Sequence, residues 1–177
     1  MSAPAGTSTD PFSVFEDALW GALESYAPLA ALVKVGNRLK LTGSKDDPYE
    51  GSSSTNDYPE LQLWQAGANI APGAIPRTSD TYFWQQRYSI GISTDVLRTN
   101  VPRGINVLKW HVLRAIARAE CQLVKPAIPF VTWIKPGSFR DQLQEINPTG
   151  VNRGKSGWTG VLDVEVQFQW SFAELLA

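Results

Sequence analysis

The chain holds one histidine, His111, and one cysteine, Cys121. Nucleophilic catalysis needs a base beside its nucleophile, so these two residues bound what chemistry is open. His111 falls on the outward side of a segment with helical periodicity, where a lone histidine is ordinarily a surface residue. Cys121 falls at the C-terminal end of that segment, where the helix dipole disfavours a thiolate; it reads as a small buried residue. The acids of "KDDP" (45 to 48) lack the ligand spacing of a calcium loop and read as a solvated turn. "GVNRGKSG" (150 to 157) contains Gly-Lys-Ser but not the earlier glycine of a phosphate-cradling loop, and it leads into a strand rather than a helix. Asp163 and Glu165 share one face of a strand, as a carboxylate pair would, yet on a strand of alternating polarity they read as ordinary outward residues. No catalytic or metal-ligating constellation emerges. The expectation is a non-enzyme without a cofactor, a structural or binding protein, whose seven tryptophans suit interfaces.

Composition narrows the classes further. A length of 177 residues with 43% hydrophobic content fits one globular domain. A formal net charge of -1 argues against a dedicated polyanion binder, because affinity for nucleic acid comes mainly from accumulated Lys and Arg. A single cysteine excludes an intrachain disulfide and points to a reducing compartment. "MSAPAGTSTDP" has neither the charged nor the apolar region of a signal peptide. No apolar run approaches the ~20 residues of a membrane span. The expectation is a soluble protein folded in a cytoplasm, with no membrane partner.

The elements that would position these residues follow from pattern. Residues 1 to 10 read as a flexible arm and 11 to 177 as a single α+β domain. In "TDPF", Asp10 can cap a helix and Pro11 suits its first position; Phe12, Phe15, Leu19, Ala22, Leu23 and Tyr26 form its apolar stripe. Pro28 should end that helix near Tyr26. Short strands are expected at 35 to 42 and 58 to 64, a long one at 82 to 94, and another at 129 to 134. Extended loops are expected at 43 to 57, 65 to 80 and 135 to 157. A second helix is expected from about Pro102 to Cys121, with Ile105, Leu108, Val112, Ala115, Ile116 and Ala119 inward. An antiparallel or mixed sheet with two main helices on one face fits this order.

The last strand, in "GWTGVLDVEVQFQW" (157 to 170), sharpens the functional question. Leu162, Val164, Val166, Phe168 and Trp170 point one way; Asp163, Glu165, Gln167 and Gln169 point the other. Arg87 lies on the polar side of the long strand. The apolar face meets a core, whereas the polar face can meet water, a substrate or another subunit. On the second helix, Arg103, Val107, Trp110, His111, Arg114 and Arg118 gather opposite the apolar stripe. Outward arginines are ordinarily solvated, but an outward Trp among them has the composition of an interface hot spot, one suited to an acidic surface of an adjoining subunit or partner protein.

The succession of an N-terminal helix, "YPELQLW", "YFWQQRYSIGIST", a long helix and a closing "GWTGVLDVEVQFQW" resembles the tail terminator (tail completion) proteins of long-tailed bacteriophages. The resemblance spans residues 11 to 172 by order and pattern, and loops 43 to 57 and 135 to 157 are long for that family. It implies a virion protein of the tail or neck, assembled in the host cytoplasm as a ring, usually a homohexamer. The ring caps the tail tube protein and presents a surface to the head-to-tail connector protein, with DNA passing through its lumen unbound. Asp163, Glu165, Gln167, Gln169 and Arg87 would then line a subunit interface or the lumen. The alternatives are a head-to-tail connector or neck protein of the same virion, and a small enzyme or ligand-binding domain.

Overall fold

The computed structural model describes residues 10–41, 58–70, 81–95, 101–124, 126–146 and 155–171. The expected arm, apart from residue 10, and the expected loop 43 to 57 lie outside the described residues.

Helix α1 spans Pro11–Glu24, and Asp10 caps it by accepting from the backbone N–H groups of Phe12 and Ser13, both at 3.1 Å. Pro28 has no N–H to continue the ladder, so α1 ends and a short helix α2, Ala27–Leu32, restarts with the proline in its first turn. A single 3₁₀ turn, Val35–Asn37, leads into strand β1, Arg38–Leu41. Strands β2, Glu60–Ile70, and β3, Thr81–Thr94, form an antiparallel pair. Helix α3, Ile105–Leu123, follows, and then β4, Val131–Ile146, pairs antiparallel with β5, Lys155–Ser171.

The five strands form one mixed sheet in the order β1-β2-β3-β5-β4, with β1 parallel to β2 and every other neighbour antiparallel. The fold is α+β, with the main helices α1 and α3 on one face. Phe15, Leu19 and Leu23 from α1 and Leu108, Val112 and Ile116 from α3 are buried against Leu61, Leu63, Tyr88, Ile90, Ile92, Leu162, Val164, Val166 and Phe168. Strands β2, β3 and β5 each contribute every second residue, as the pleat requires. At one end the core is aromatic: Phe12 meets Phe168 edge-on with ring centroids 5.2 Å apart, and Trp170 stacks on Phe168 at 5.5 Å.

Several expectations are corrected. The stretch 135 to 157 is not one extended loop: residues 135–146 continue β4 and residues 155–157 begin β5. Pro136 and Gly137 read as loop punctuation, but β4 is an edge strand, and the pairing with β5 shifts register between Pro136 and Phe139. An edge strand with a bulge tolerates a proline, since no ladder bond is lost on its open side. Residues 65–70, expected in a loop, belong to β2. There the register shifts between Gln65 and Gly67, and Gly67 takes a φ of 131°, a conformation that side chains disfavour. Gln86 Nε2 donates to the Gly67 carbonyl at 2.7 Å and fastens this bulge to β3. The second helix starts at Ile105 rather than Pro102, with Gly104 at its N-cap, so Arg103 precedes it.

Candidate functional site

Among the described residues no group of three or more His, Cys, Asp and Glu could hold a metal ion. No described helix is long and apolar enough to cross a membrane. The candidate surfaces are therefore the outer face of the sheet and the outward face of α3.

The outer face is built by β5 at its centre. Register places Arg87 of β3 opposite Glu165, Ser89 opposite Asp163, and Gln85 opposite Gln167, with Lys135 of β4 flanking Glu165 from the other side. The side chains join across the strands. Arg87 and Glu165 form an ion pair at 3.3 Å, and both are nearly half exposed. Asp163 accepts from Ser89 Oγ at 2.7 Å and pairs with Arg140 at 2.9 Å. Thr132 Oγ1 donates to the Gln167 backbone carbonyl at 3.1 Å. Ser93 and Thr159 hydroxyls meet at 3.0 Å. Gln169 is half-buried, and its N–H donates to the Phe130 carbonyl at 2.8 Å. Structure thus brings Asp163, Glu165, Gln167, Gln169 and Arg87 onto one continuous face and adds Arg140, Ser89 and Lys135 to it. Strand alternation identified the β5 residues, whereas Arg140 escaped notice because residues 135–146 read as a loop.

That face also holds a buried carboxyl group. Glu60 is opposite Ser93, almost fully buried, and accepts from Gln62 Nε2. Burial pushes its carboxyl above the usual range, and the Gln62 hydrogen bond opposes this. Four residues along the same strand, Trp64 lies over Gly91 of β3, where an added Cβ would meet the indole at 3.0 Å. Glu60 was missed from sequence because a lone glutamate at the start of a strand carries no local sign of burial.

On α3, Trp110 is 59% exposed, and Arg114 and Arg118 are exposed with it. Arg103 is exposed in the turn just before the helix. His111 is not a free surface residue: its ring lies 6.1 Å from that of Tyr26, and it is half-buried. Desolvation lowers its pKa, and the neighbouring Arg114 charge lowers it further. Nδ1 of His111 and the Tyr26 hydroxyl are both buried without a hydrogen-bond partner among the described residues. Cys121 is exposed rather than buried, since it falls on the outward side of α3, one turn after exposed Ala117.

No protein-family model matches the chain. No curated protein matches it either. Among solved structures, the chain is similar to one chain of the virion of a native gene transfer agent (GTA) particle. That likeness has a TM-score of 0.55 and 15% identity, covering 92% of this chain and 100% of the other. At that identity it is a likeness of fold, and it extends over the whole α+β arrangement.

Proposed function

We propose that this chain is a structural, non-enzymatic virion protein of a tailed bacteriophage, which assembles into a homohexameric ring capping the tail tube and joining the tail to the head-side connector. The observation that carries the reading is the fold correspondence with a complete chain of a gene transfer agent virion. The order of elements that resembles tail terminator proteins supports the station in the tail.

In this reading the outer sheet face is a subunit interface or lumen wall. Two of its cations are neutralised, Arg87 by Glu165 and Arg140 by Asp163, and Lys135 flanks Glu165. A channel that passes DNA must not hold it, and a wall without accumulated cations avoids strong phosphate contacts. The segment 43 to 57 would contact the neighbouring subunit.

Native mass spectrometry and negative-stain imaging of the purified protein, alone and mixed with tail tubes, test the proposal. The expected result is a ring of about six subunits that caps tube ends. A stable monomer that ignores tail tubes and binds a small molecule would overturn it in favour of a ligand-binding domain. Capture by the head-side connector before any tail contact would move the protein to a connector station.

A further inference from the structure

Three side-chain atoms among the described residues are buried without a hydrogen-bond partner, and two of them sit on neighbouring rings: the Tyr26 hydroxyl oxygen and Nδ1 of His111. The ring centroids lie 6.1 Å apart, with the planes tilted by 49°. Tyr26 is 7% exposed and stands at the corner where α1 gives way to α2. Its N–H donates to the Leu23 carbonyl, and its own carbonyl accepts from Leu29 and Ala30. His111 reaches the corner from α3 and is half-buried. An orphaned buried polar atom forfeits its hydration, so two of them in one seam call for a shared partner. A buried water needs two or more polar partners. The phenol can donate to it, and an unprotonated ring nitrogen can accept from it.

We propose that one buried water joins the Tyr26 hydroxyl to Nδ1 of neutral His111, and that this link is a proton-sensitive clasp between the N-terminal end of α2 and α3. In the neutral state His111 carries its proton on Nε2, Tyr26 donates to the water, and the water donates to Nδ1. Protonation at Nδ1 removes an acceptor and adds a donor. Tyr26 and Nδ1 then both donate to the water, which has no acceptor in the pair for its own hydrogens.

The added charge is also unanswered. From the corner, the group facing His111 is the neutral Tyr26 phenol, and α2, with the sequence APLAAL, carries no ionisable side chain. Glu16 and Asp17 of α1 hold Lys40, and on the sheet side of α3 Lys109 is paired with Asp141. The charge that acts on the imidazole is Arg114, three residues along α3, and it repels. The clasp matters because α2 has six residues, too few to hold a helix unaided. Its far end is fixed by Arg38 of β1, which donates to the Ala30 and Val33 carbonyls at 2.8 and 2.7 Å. Acid should therefore free the Tyr26 end. This rests on the helix seam and holds for a monomer or a ring alike.

His111 is the one histidine of the chain, so its ring nitrogens give unambiguous signals in a long-range proton–nitrogen spectrum of the isotope-labelled full chain. At pH 7.5, Nδ1 should be the unprotonated nitrogen, displaced towards the value of a hydrogen-bonded acceptor. A long-lived water should give Overhauser contacts to the Tyr26 and His111 rings. Tyr26→Phe keeps the ring and removes the hydroxyl; it should lose the water contact and return Nδ1 towards an unbonded value. Amide hydrogen exchange tests the clasp. Protection of the Leu29, Ala30 and Val33 amides, corrected for intrinsic exchange, should fall about threefold or more from pH 7.5 to pH 5. In His111→Gln it should change less than twofold. The end of β4, residues 142–146, opens without releasing His111 and should also change less than twofold in the wild type. The wild-type spectrum and His111→Gln decide the matter even if Tyr26→Phe fails to fold. A proton on Nδ1 at pH 7.5, an unbonded Nδ1, a direct Tyr26–His111 bond without water contact, or an equal fall in His111→Gln would each overturn the proposal.

Discussion

Asp163 of β5 accepts a hydrogen bond from Ser89 of β3 at 2.7 Å, and the Ser89 hydroxyl is buried although it lies on the polar face of the sheet. Arg140 reaches the same carboxylate oxygen at 2.9 Å but is 67% exposed. The two bonds should therefore differ in worth. Asp163→Ala leaves a buried hydroxyl without its acceptor and should cost about 1–3 kcal/mol. Arg140→Ala removes an exposed pair partner and should cost at most about 1 kcal/mol. Urea unfolding of the two variants checks the ranking; equal losses would mean that the ion pair to β4, not the buried bond to β3, accounts for what Asp163 contributes.

Replacing both Glu165 and Gln167 by Lys tests the role of the outer face. Glu165 sits between Arg87 and Lys135, so the change removes the carboxylate that pairs with Arg87 and gathers cations on this face. The fold should survive with a loss of about 1 kcal/mol, because these positions are only half-buried. Ring assembly or DNA passage should fail. Particles that form and deliver DNA normally would remove this face from any interface or lumen.

Glu60 gives a pH-dependent expectation. Its folded pKa lies above the ordinary carboxylate value because burial disfavours the charge. The folded state thus holds the proton more tightly than the unfolded one, and stability falls as pH rises from 4.5 through the folded pKa. Glu60→Gln keeps an acceptor for Gln62 and removes the charge. It should raise the Tm at pH 7 by a few degrees, the shift that about 1 kcal/mol gives at this chain length, and by less at pH 4. A lower Tm at pH 7 would mean that the carboxylate has a partner that holds it charged.

His111 acts in the opposite sense. Its pKa is lowered by desolvation and then by Arg114, so the unfolded state takes the proton first as the solution is acidified. Stability should fall as pH drops from 6.5 towards the folded pKa. His111→Gln should lose less Tm than the wild type between pH 7.5 and pH 5, and Arg114→Ala should show an intermediate loss. Identical pH profiles would show that His111 charges freely in the folded state.

Sequence alone determined the elements whose information is local. The Asp10–Pro11 pair set the start of α1 because capping and a missing N–H act within one turn. Strict alternation from Leu162 to Trp170 determined which side of β5 enters the core, since pleat parity is a property of the strand itself. The stripe Ile105 to Ala119 determined the buried side of α3 for the same reason and left Trp110 outward. Tertiary structure decided what depends on partners distant in the chain. It put β5 between β3 and β4, and it drew residues 135–146 into a strand because pairing with β5 outweighs the local turn preference of Pro136 and Gly137. The same long-range register chose Asp163 for Ser89 and Arg140 and buried Glu60 on a polar face. Spacing along one strand or helix cannot encode such matches, because each depends on which other strand or helix is brought alongside.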